Sequence, residues 1–163
     1  MGFTVRIGAV AAVAAVAGLM LISSGTIDAA LMGDAAIKAR KDAMKSFSAN
    51  NKVITAFVKD GKGTTADVAD KATAIAATAK QLPELFPKGS GRGDFPDKTT
   101  RALPAIWTDM AGFDKNAKAL VAESAKLAGI AKAGDKDAIA KQAAEVGKVC
   151  GACHKAYRGD AVK

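Results

Sequence analysis

An antiparallel four-helix bundle of the all-α class is the fold this sequence predicts, and three observations predict it. Apolar residues recur at alternating three- and four-residue steps through four separate segments. Gly, Pro and capping residues punctuate the chain between those segments and leave mostly short connections, which set neighbouring helices antiparallel. The composition is rich in Ala and Lys and only 5% aromatic, with no alternating β-branched run to make a strand.

Residues 1–30 come first and read as a targeting segment. Arg6 gives a short positive start, Ile7 to Ile22 is an unbroken apolar run, and Ser23, Ser24 and Gly25 follow. At roughly sixteen residues the run is long for a signal core and short for a spanning helix. Cleavage after Gly25, Ala29 or Ala30 is expected, with Asp28 interrupting a small-residue site, and an uncleaved anchor is the alternative. Residues 31–163, about 130 in number, then form one domain with one core.

The first helix is predicted from about Asp34 to Lys59, with Ile37, Arg40, Met44, Phe47, Asn51, Ile54 and Val58 on its inner stripe. Gly61-Lys62-Gly63 ends it. Thr64 to Asp67 has the form of a capping box and opens a second helix, whose stripe is Val68, Ala72, Ile75, Ala79 and Leu82. Pro83 stops that helix, and the Pro- and Gly-dense stretch to Thr100 is a loop that Leu85, Phe86 and Phe95 pin to the bundle. A third helix starts near Pro104 and carries Ile106, Met110, Phe113, Ala117, Leu120, Ser124, Leu127 and Ala131. Gly134 closes it. Asp135 caps a fourth helix running through Ile139, Val146 and Val149 to about Tyr157.

The fourth helix ends on Cys150-Gly151-Ala152-Cys153-His154, which holds both cysteines and the only histidine of the chain. C-x-x-C-H is the pattern of covalent c-type haem attachment, in which two thiols become thioethers and the histidine is placed to ligate the iron. On a helix the three side chains stand at i, i+3 and i+4, so they face one flat object. A thioredoxin-like dithiol is a rival, but it expects a βαβ pattern that is not found here. A zinc site is another, and it lacks further Cys or His to complete a tetrahedral shell. A haem would also give an Ala-rich bundle the large apolar body its core needs. Haem c is attached on the outer side of a bacterial inner membrane, which agrees with the leader and expects a periplasmic domain in a Gram-negative bacterium.

The net charge is +8, yet the lysines are interleaved with Asp and Glu along every segment and no basic block with stacking aromatics occurs. No nucleic-acid partner is expected. The surplus charge suits steering of an acidic redox partner.

Beyond the haem motif, several segments resemble the cytochrome c′ family, the class II c-type cytochromes. They are Cys150 to Arg158 at the C-terminus, Arg40 to Lys45 on the first helix, and a Leu-Phe-Pro loop leading to Thr100–Trp107. The likeness covers essentially the whole mature chain. It implies one haem c held by Cys150 and Cys153 with His154 as the proximal ligand. It also implies that Arg158 lies near the proximal face and Arg40 near a propionate, while Tyr157 and Trp107 read as packing and hydrogen-bonding residues.

Met44 occupies the position that divides this family. In gas-binding members an apolar side chain there covers the distal face and leaves the iron five-coordinate; in low-spin members a methionine ligates the iron. Arg40, Met44 and Phe47 share a helix face, and Met110 and Met32 are worse placed, while Lys45 points about 100° away. The expectation is a His/Met-ligated electron carrier rather than an enzyme. A five-coordinate binder of nitric oxide or carbon monoxide is the alternative, with Met44 as a non-bonding filler. Redox proteins are the expected partners, a membrane only if the leader is retained, and the chain is expected to be a monomer or a homodimer.

Overall fold

In a computed structural model, residues 33–162 are described; the expected leader, Met32 and the first positions of the expected domain lie outside them. Helices α1 (Asp34–Asp60), α2 (Thr65–Lys80), α4 (Met110–Ala133) and α5 (Lys136–Tyr157) form the bundle. A single helical turn, α3 (Ala105–Thr108), and a 3-10 turn over Leu82–Leu85 bracket the long loop. Extended pairing among the described residues is limited to two isolated bridges, Arg92 with Phe95 and Ala102 with Arg158.

Local chemistry sets the helix ends. The Thr64 hydroxyl accepts from the Asp67 N–H at 3.1 Å while Asp67 Oδ2 accepts from the Thr64 N–H at 2.8 Å, so the capping box forms with Asp as its acid. Gly61 ends α1 at φ 64°, where its own N–H and that of Lys62 close on the last carbonyls of the helix.

The stripe of α2 behaves as the spacing predicts: Val68, Ala72, Ile75, Ala79 and Leu82 are all buried. They meet Phe113, Ala117, Leu120 and Leu127 of α4 and Ile139 and Val146 of α5 in one core. The stripe of α1 departs from expectation in its second half. Asn51 and Val58 are exposed, and Phe57 is buried beside Ile54. At 100° per residue Asn51 and Val58 lie about 60° and about 40° to one side of Ile54 and Phe57 about 60° to the other, so the buried face of the second half of α1 turns toward Phe57.

The third predicted helix also differs, because it is broken at Asp109. That residue leaves helical geometry (φ −131°, ψ 54°), and its Oδ1 accepts the Gly112 N–H at 3.0 Å to begin α4 afresh.

Around the bundle, α1 packs on α2, α2 on α4 and α4 on α5, while α1 meets α5 only lightly. The α1/α5 seam is therefore the thin side of the molecule. No helix of the described residues is long and apolar enough to cross a membrane.

Candidate haem site

The last turns of α5 project Cys150, Cys153 and His154 from one face, all three half-buried, while Gly151 and Ala152 face solvent. Neither thiol is in a disulfide. Burial raises both thiols above their ordinary range, Cys153 to about 11 with the neighbouring Cys150 adding to the effect. A reactive dithiol needs the opposite shift, toward thiolate, so the surroundings of this pair speak against thioredoxin-like chemistry. Among the described residues no group of three His, Cys, Asp or Glu side chains is arranged to hold a metal ion, which counts against a zinc site.

His154 is held below its ordinary value, first by burial and then by the positive charges of Arg158 and Arg101. At neutral pH the imidazole is uncharged, the form that binds iron. Arg158 is exposed, and its backbone N–H donates to the His154 carbonyl at 3.0 Å, closing the turn that carries the histidine. Arg101 lies in a stretch whose sequence is suggestive but which assigns it no role; its Nε donates to the Gly159 carbonyl at 2.7 Å.

Across the seam, α1 contributes Met44 and Phe47, both half-buried against the core, as are Val149, Cys150 and Cys153 on the α5 side. One turn before Met44, Arg40 is only 5% exposed. Its guanidinium donates to Ser90 Oγ at 2.9 Å, to Thr100 Oγ1 at 2.6 Å and to the Ser90 carbonyl, and it lies 5.0 Å from the centre of the Phe86 ring. Burial pulls it down to about 10. Every partner of this buried cation is neutral.

These features fit a haem. Two thiols and an uncharged imidazole share one helix face, apolar side chains half-buried on α1 and α5 face a thin seam, and a buried guanidinium lacks an anionic partner such as a propionate would supply. Ser90 and Thr100, which orient Arg40, were not legible in advance, since their link to α1 spans a loop with no periodicity.

Comparison with known proteins agrees. The family model for cytochrome C′ matches residues 35–158. Cytochrome c′ of Rhodospirillum rubrum is 32% identical over 145 residues, covering 89% of this chain and 96% of its own. The crystal structure of cytochrome c′ from Thermochromatium tepidum superposes with a TM-score of 0.71 at 28% identity, over 81% of this chain and 100% of that one. A solved nitric oxide complex of a point variant of cytochrome c prime from Alcaligenes xylosoxidans reaches 0.66 at 27% identity, over 78% and 96%. The family match runs from the second residue of α1 through the CxxCH turn to Arg158, and so the chain belongs to the cytochrome c′ family, a monohaem c-type cytochrome whose haem c is attached through Cys150 and Cys153.

Proposed function

We propose that the protein binds a small diatomic gas, nitric oxide or carbon monoxide, with His154 as the single protein ligand of a five-coordinate iron and Met44 as the distal cover. When bound, the haem supplies an iron that takes such a gas or changes valence by one electron. The observation that carries this reading is the cytochrome C′ family match together with Met44, which is half-buried and packs against the same core as Cys150 and Cys153. A gas binder needs a distal side chain that can swing aside, and Met44 has a flexible, half-buried thioether. The nitric oxide complex of the Alcaligenes relative supports the same choice.

In this reading Arg40 faces a propionate, Arg158 lies on the proximal side, and the protein is not an enzyme. It works in the periplasm after residues 1–30 direct export, as a monomer or homodimer served by redox proteins. The second reading, a His/Met electron carrier, is favoured by the place of Met44 one turn beyond Arg40 on α1.

Spin state and gas titration separate the two. The ferric protein is expected to be high-spin at neutral pH, and Met44→Ala to speed carbon monoxide binding while leaving it high-spin. A low-spin ferric protein that turns high-spin only in Met44→Ala would establish the electron carrier instead.

A further inference from the structure

Tyr157 stands three residues after His154, in the last turn of α5, and is 6% exposed. Its hydroxyl donates to Asp109 Oδ2 at 2.7 Å, while Asp109 Oδ1 accepts the Gly112 N–H that begins α4. One carboxylate thus starts one helix and fastens the end of another. Gly112 is part of the arrangement, because a Cβ at that position would lie 2.6 Å from the Tyr157 hydroxyl. The ring is fixed as well, edge-on to Phe113 with centroids 5.4 Å apart. From the backbone, the Leu103 N–H donates to the Tyr157 carbonyl at 3.1 Å and the Gly159 N–H to the Arg101 carbonyl at 2.8 Å.

The last turn of a helix ordinarily frays, since its carbonyls lack partners. Here it is pinned to the break between α3 and α4 by a charge-assisted hydrogen bond and by backbone pairing. Iron-bound histidines are usually oriented by a hydrogen bond to the second ring nitrogen. Among the described residues no hydrogen bond reaches the His154 ring, so its orientation falls to the backbone turn that carries it.

We infer that Tyr157, anchored by Asp109, is a positioning residue that sets the orientation of His154 toward the haem iron. This rests on His154 being the iron ligand of the proposed function. Removing the hydroxyl with Tyr157→Phe keeps the ring and its stack. Asp109→Ser keeps a hydroxyl acceptor for the α4 cap and has no second oxygen for Tyr157, so each variant breaks the same bond by a different route.

The test is resonance Raman spectroscopy of the ferrous, haem-loaded protein, read at the iron–histidine stretch, with helicity checked by far-ultraviolet circular dichroism. Tyr157→Phe and Asp109→Ser are each expected to lower and broaden that band to the same extent, and the double variant to move it no further. A band unchanged in both single variants, whatever happens to their unfolding temperature, would overturn the inference and leave an ordinary stabilising contact. Shifts that add in the double variant would overturn it too. Persistence of the wild-type band in His154→Ala would instead overturn the ligand assignment, which separates the two failures.

Discussion

Replacing Arg40 with lysine tests how α1 is fastened to the rest of the molecule. The guanidinium fork reaches Ser90 Oγ, the Ser90 carbonyl and Thr100 Oγ1 from two nitrogens, on a side chain that is 5% exposed. Arg40→Lys keeps the charge but offers one nitrogen on a shorter stem, so it cannot serve Ser90 and Thr100 together. Two of the three bonds are lost. Hydrogen bonds to a charged group contribute about 1.5–3 kcal/mol each, giving a gross loss of about 3–6 kcal/mol. Water entering beside the smaller head offsets part of this, and about 3 kcal/mol remains. The ammonium is also the more strongly hydrated ion, and a site that already holds arginine down to about 10 by burial disfavours it further. Urea unfolding of the haem-loaded protein, followed by haem absorbance and circular dichroism, should show a midpoint lowered by more than about 1 M at a slope of about 1–3 kcal/mol/M. A midpoint unchanged within about 0.2 M would refute the fork as the fastening of α1.

Two glycines of α4 should respond in opposite senses. At Gly129 an added Cβ meets nothing within 4 Å, so Gly129→Ala should stabilise by about 1 kcal/mol, whereas Gly112→Ala drives a methyl against Asp109 and Tyr157 and should cost about 1–3 kcal/mol. Thermal unfolding of both variants checks the contrast. Thr64→Ala removes the capping box and should lower stability by about 1 kcal/mol. The hydrogen bonds from Thr64 hold the Asp67 carboxyl below its ordinary value in the folded state. Its contribution is therefore complete above the unfolded carboxylate value and is lost as pH falls through the depressed folded one. The unfolding temperature of Thr64→Ala should accordingly fall less steeply on acidification than that of the wild type. Acid-acetone should leave the chromophore on the wild-type protein, and extraction should succeed only when Cys150→Ser and Cys153→Ser are combined.

Much of this architecture could be read from spacing, and the exceptions have physical causes. The α2 stripe from Val68 to Leu82 is buried throughout because α2 lies between α1 and α4 and packs on both. Over the longer α1 the same reading fails at Asn51 and Val58. The break at Asp109 went unforeseen because the apolar period continues across it, although an Asp with a free N–H three residues on is a capping signal in its own right. The haem attachment was legible because its residues are local, within five positions of α5. Arg40 with Ser90 and Thr100, and Tyr157 with Asp109, join segments far apart in the chain, and no periodicity encodes such pairs.

The thin seam between α1 and α5 has a consequence for how the molecule breathes. α2 and α4 share the thickest part of the core, whereas α1 is held mainly by α2 and by the bonds of Arg40, and α5 mainly by α4. Native-state hydrogen exchange should then give α2 and α4 the highest opening free energies and α1 and α5 lower ones. Met44 lies on α1 and His154 on α5, so the two sides of the site are carried by the two helices at the margins of the bundle and need not open together.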